Sequence, residues 1–137
     1  MVATAGRDGP RGLRQIQDVK AKQRQAWLVA GLWWLFLTVV QLLPSTGKPP
    51  AIPYGDKLAH GFLFGVLVYL LFRACAASNL ARKYLGIFLV GAIAYGSLCE
   101  FVQGFMPARQ ADVWDFAADA LGSVVGATVA RLRGREQ

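Results

Sequence analysis

AWLVAGLWWLFLTVVQLL, residues 26–43, carries no charged side chain. It lies inside an uncharged run from Gln25 to Gly47. About 20 apolar helical residues span the roughly 30 Å hydrocarbon core of a bilayer. This run decides the fold, because a segment of this length and composition belongs in a membrane.

The rest of the chain agrees. Its 137 residues are one domain's worth. They are 55% hydrophobic, with a mean hydropathy of +0.37, too apolar for an ordinary soluble domain. Charge is concentrated at the ends and in the loops. The net charge of +7 does not point to nucleic acid, since basic residues flank hydrophobic spans through the positive-inside bias. The two cysteines, Cys75 and Cys99, fall near opposite ends of their spans, too far apart for the Cα separation of about 7 Å that a disulfide tolerates.

Four spans are expected, at residues 26–43, 58–72, 84–106 and 112–130. Pro44 and Pro107 end the first and third. The expected fold is therefore all-α, a polytopic membrane protein built as a bundle of four transmembrane helices. Residues 1–25 read as a basic, irregular tail, although Leu13, Ile16 and Val19 offer a weak apolar stripe for a surface helix. Residues 26–130 form the membrane domain and 131–137 a second basic tail. The long apolar run and the absence of a small-residue cleavage site argue for an uncleaved first helix. LPSTG at 43–47 matches a sortase signal by letters only, because it follows the first span instead of preceding the last.

Orientation follows from Lys and Arg. Arg7, Arg11, Arg14, Lys20, Lys22, Arg24, Arg73, Arg82, Lys83, Arg131, Arg133 and Arg135 fall on the side of the termini, twelve in all. Only Lys48, Lys57 and Arg109 fall opposite. The expected location is a bacterial inner membrane, multi-pass, with both termini cytoplasmic.

On this topology the ionisable residues of the membrane collect near the outer face. Asp56, Lys57 and His60 stand at the start of the second span. Glu100 and Gln103 lie in the outer third of the third span. Arg109 is in the turn, and Asp112, Asp115 and Asp119 descend the fourth span. At 100° per residue, Asp112, Asp115, Asp119, Gly122 and Gly126 share a face about 80° wide. Asp56 and Asp112 read as helix caps. Glu100 and Asp119 lie too deep to cap anything, and an acidic residue facing lipid at a helix centre costs about 2.5–3.5 kcal/mol. They should therefore face the bundle. Gly61 with Gly65, and Gly122 with Gly126, have the spacing that lets membrane helices approach closely.

At these residues the chain resembles the VanZ-like family of small bacterial membrane proteins. The resemblance is carried by DKLAH (56–60), EFVQ (100–103), Arg109 and DFAADALGSVVG (115–126). The family usually has Asn at the position of Asp119 and often Tyr at that of Phe64. Asp119 is accordingly expected to be protonated or paired with Arg109, Lys57 or His60. The family takes its name from a protein associated with teicoplanin resistance, so the resemblance implies a role in the cell envelope and in glycopeptide susceptibility.

Two functional readings follow. In the first, Asp56, Lys57, His60, Glu100, Gln103, Arg109, Asp115 and Asp119 line a pocket for an envelope lipid or glycopeptide-related ligand. Lys57, Arg109 and His60 would hold a phosphate or carboxylate, and the acidic groups would take hydroxyls or amines. Asp112, Gly122 and Gly126 are then structural. In the second, Glu100, Asp119 and His60 perform acid–base catalysis on a lipid-linked phosphate or sugar. A divalent cation on Glu100, Asp115, Asp119 and His60 suits either reading. Membrane carboxylates more often pair with cations already present, so neither metal nor other cofactor is expected. The expected partners are membrane lipids and a second copy of the chain.

Overall fold

A computed structural model describes residues 10–43, 53–78, 80–106 and 112–134. Pro44, Lys48, Pro107 and Arg109 lie outside them. Four helices make up the described chain: α1 (Pro10–Leu42), α2 (Gly55–Ala77), α3 (Ala81–Gln103) and α4 (Val113–Arg133). All four are long and apolar enough to cross a membrane, as in a multi-pass membrane protein.

The boundaries differ from the expected ones for local reasons. The basic segment before Ala26 is helical from Pro10 onward, continuous with the first span. Proline suits the first helical position, and the Arg, Gln, Lys and Ala residues that follow are good helix formers. At about 1.5 Å per residue, this 33-residue helix exceeds the bilayer core, so one end projects beyond it. Leu13, Ile16 and Val19 remain exposed on that projection. The base of α1 is tied to the end of α2. Gln23 Nε2 donates to the Ala77 carbonyl at 2.8 Å and Trp27 Nε1 to Ser78 Oγ at 3.3 Å. Helix α4 runs past Ala130 to Arg133, and Arg131 and Arg133 in its last turn complement the negative end of the helix dipole.

Consecutive helices alternate in direction, so α2 and α4 run parallel, and they form the most extensive pairing in the bundle. Their contact is floored by glycine. A methyl group on Gly122 would fall on the carbonyl oxygen of Gly61, and one on Gly126 on that of Gly65. On the other side of the seam, a Cβ at Gly65 would stand 2.9 Å from the Gly122 oxygen. The two glycine pairs are therefore the contact surface itself.

Helices α1 and α3 complete the bundle. Phe64, Leu67 and Val68 of α2 are buried in the centre with Leu37 and Ala92. The Trp33 indole donates to the Leu63 carbonyl at 3.0 Å, and Thr38 Oγ1 shares a 2.7 Å hydrogen bond with the Tyr95 hydroxyl. Outside, Leu28, Leu32, Phe62, Ile87, Val90 and Leu121 are more than half exposed. A soluble protein would lose stability by wetting such a surface, whereas lipid solvates it.

Candidate functional site

One end of the bundle brings together the start of α2, the end of α3, the start of α4 and the end of α1. At its rim the Lys57 ammonium stands 2.6 Å from Asp112 Oδ2, 2.8 Å from Asp115 Oδ1 and 3.4 Å from Asp56 Oδ2. A lysine has three donors, and three carboxylates take them here. Lys57 thus fastens α2 to α4 above the glycine seam instead of presenting its charge to an anion.

The caps are arranged differently from the sequence expectation. The residue preceding α2 is Tyr54, with φ 60° and no side-chain cap. Asp56 lies inside the first turn, where a carboxylate meets the positive end of the helix dipole without capping it. Asp112 is a cap, accepting from the Trp114 amide at 2.9 Å. Glu100, expected to be too deep for such a role, also serves this turn. Its Oε2 accepts the Asp112 amide at 3.0 Å, because α4 begins directly over the end of α3. The ammonium of Lys57, helped by the Trp114 amide, holds the Asp112 carboxyl below the usual carboxylate range.

Beneath the rim lies a buried polar layer. His60, Glu100, Gln103 and Asp119 all face inward, and Asp119 is completely enclosed. Of the proposed partners of Asp119 that are described, Lys57 and His60, it is His60 that meets it, with Nδ1 3.0 Å from Asp119 Oδ1. The other ring nitrogen is 4.0 Å from Asp115 Oδ2. Gly96 makes room on α3, since a Cβ there would sit 3.0 Å from Asp119 Oδ2.

Gln41 of α1 is a member of this layer that the sequence reading passed over. It is buried, its Nε2 lies 3.2 Å from His60 Nδ1, and its backbone carbonyl accepts from Gln103 Nε2 at 2.9 Å. One ring nitrogen cannot donate to Asp119 and accept from Gln41 at once, so the shorter Asp119 bond fixes the histidine. The available signal was depth. Gln41 stands at the same level of its span as His60 and Gln103 do in theirs.

Two acceptors in this layer have no hydrogen-bond partner among the described residues: Glu100 Oε1 and Asp119 Oδ2. The hydroxyl of Ser123, one turn beyond Asp119, is likewise buried and unpartnered. An unsatisfied buried polar atom costs about 1–3 kcal/mol, more when charged. The two bare carboxylate oxygens call for a donor or a cation.

Beside this layer, on the outer face of α2 and α4, runs a groove of about 640 Å³. Lys57 stands at one end and Arg133 at the other. Gly61, Gly65, Gly122 and Gly126 form the floor, and Phe62 and Leu121 belong to the walls. Arg133 donates to the Tyr69 hydroxyl at 3.0 Å.

The "Uncharacterized protein C11E3.10" of Schizosaccharomyces pombe (strain 972 / ATCC 24843) is 31% identical over 91 residues. The match covers 64% of this chain and 55% of the yeast protein, so the chain spans about half the length of that relative. No solved structure matches it at a significant level. The sequence profile of the VanZ/LLP1 family matches residues 12–134, which takes in all four spans and every described residue of the polar layer. The chain belongs to the VanZ/LLP1 family.

Proposed function

We propose that this protein is a membrane-embedded binding protein whose polar layer takes the headgroup of an envelope lipid or a glycopeptide-related ligand. The observation that carries the reading is the pair of unpartnered acceptors, Glu100 Oε1 and Asp119 Oδ2, enclosed below a rim of charge. They favour a ligand that brings hydrogen-bond donors, an amine or sugar hydroxyls, over one that brings a phosphate. With Lys57 already held by carboxylates, an anionic group would meet more negative than positive charge. The groove along α2 and α4 supports the lipid reading, since an acyl chain matches an apolar channel with a glycine floor.

The lysine and arginine distribution orients this pocket toward the outside of a bacterial cytoplasmic membrane, with both termini inside. Membership of the family adds a physiological expectation, altered susceptibility to teicoplanin. Phe105, exposed just beyond α3, reports the orientation. In intact cells, Phe105→Cys should react with a membrane-impermeant thiol reagent. Reaction only after lysis would turn the pocket to the cytoplasm. In the same cells, Glu100→Gln with Asp119→Asn should remove any shift in teicoplanin inhibitory concentration that the unmodified protein confers. A double variant as effective as the parent would remove the pocket from that role.

A further inference from the structure

We infer that His60, Glu100 and Asp119 form a site for a divalent transition-metal ion, Zn²⁺ or Mn²⁺. One ligand atom from each residue lies within 4.8 Å of the other two, and all three side chains are buried. This proposal shares the pocket of the preceding section but not its ligand.

Three observations carry it. The first is geometry. Around an ion with bonds of about 2.1 Å, ligand atoms stand about 3.0–4.2 Å apart. The 3.0 Å separation of His60 Nδ1 from Asp119 Oδ1 is already such an edge, so a small side-chain adjustment closes the triad. Each residue comes from a different helix, and glycine seams hold α2 against α4. The donors are therefore positioned by the bundle rather than by a flexible loop.

The second is unmet valence. Glu100 uses Oε2 on the Asp112 amide and Asp119 uses Oδ1 on His60, and each keeps its other oxygen enclosed and without a partner among the described residues. Side chains that are 94% and 100% buried do not leave a carboxylate oxygen bare without a large desolvation cost. The third is charge. The only cationic side chain among the described residues of the rim is Lys57, and three other carboxylates engage it. Among the described residues, Glu100 and Asp119 are thus left with His60 as their only basic neighbour. A divalent cation neutralises the pair in a medium where like charges repel strongly.

The donor set selects the ion. An imidazole with two carboxylates suits Zn²⁺ or Mn²⁺, whereas Ca²⁺ and Mg²⁺ favour oxygen alone. Three protein ligands leave at least one coordination position for water or for a ligand donor.

The test uses full-length protein freed of any affinity tag, stripped with a chelator, equilibrated with Zn²⁺ or Mn²⁺ and desalted. Elemental mass spectrometry should then find about one ion per chain, and re-addition of the ion should raise the melting temperature. Glu100→Gln and Asp119→Asn should each weaken binding by about tenfold or more. The same variants should melt no earlier than the parent in chelator, because an amide relieves the repulsion. A folded parent chain that retains neither ion overturns the proposal. So does ion binding that both variants leave unchanged, which would mark adventitious sites. Lipid retained by the chelated protein, with no ion ever bound, would remove the metal and leave the lipid reading intact. An ion bound without any selected lipid would do the reverse.

Discussion

Gly122→Leu is expected to leave no folded bundle, and Gly122→Ala to fold with a stability lower by about 2–3 kcal/mol. Even the single added methyl would occupy the position of the Gly61 carbonyl oxygen, which is helix backbone and cannot swing aside. Relief therefore requires α2 and α4 to separate. A radial gap of about 0.5–1 Å already forfeits a quarter to a half of the dispersion energy across a contact. In lipid that packing is the main attraction between helices, since burial of apolar surface supplies little there. Gly126→Ala should behave in the same way against Gly65. Gly86→Ala is the control, because a Cβ at Gly86 meets nothing within 4 Å. It should be neutral or stabilising by up to about 1 kcal/mol, as alanine is the better helix former. Thermal unfolding followed by size-exclusion fluorescence distinguishes them. Equal losses at Gly122 and Gly86 would mean that the seam does not hold the bundle.

The second large effect is expected from Lys57→Met, which removes the ammonium from Asp56, Asp112 and Asp115. Charge-assisted hydrogen bonds contribute about 1.5–3 kcal/mol each in protected settings. Asp112 is about a third exposed, so screening brings the expected loss for the cluster to about 2 kcal/mol. The pH dependence carries the sign. The folded-state pKa of Asp112 lies below its unfolded value, so its contribution is present above the usual carboxylate pKa, near 3.9. It is lost as pH falls through the depressed folded value. Parent protein should therefore weaken on acidification below about pH 4. Lys57→Met should show the opposite trend from neutral pH toward pH 4, because protonation relieves three unneutralised carboxylates. Parallel melting curves for the two proteins across that range would show that Lys57 does not neutralise the rim.

The sequence revealed the spans, their number and the faces of α3 and α4, because each follows from composition and the 3.6-residue period. It placed Glu100, Gln103, Asp115 and Asp119 on inward faces, where the structure finds them at least partly buried. Partners were harder, since periodicity names a face and leaves open what stands opposite. Asp119 had three candidate cations, and only the packing of α2 against α4 brought His60 to it. Glu100 looked too deep to cap a helix because depth was measured along α3. The amide it accepts belongs to the start of α4, a different helix that happens to begin above it. Gln41 escaped notice inside an apolar run, since one amide barely changes a hydropathy average. The early start of α1 was hidden for the opposite reason. Charge alone suggested a tail, but Arg, Lys and Gln favour helix as much as water.

If the enclosed acceptors of Glu100 and Asp119 take a ligand from the membrane, the purified protein should carry it. A mass spectrum of the lipids carried by the purified protein tests it most directly, set beside the same spectrum for Glu100→Gln with Asp119→Asn. One enriched species with an intact amine- or sugar-bearing headgroup is expected on the parent chain, and its loss from the double variant. Lipids in the proportions of the surrounding membrane, or identical spectra for the two proteins, would contradict it.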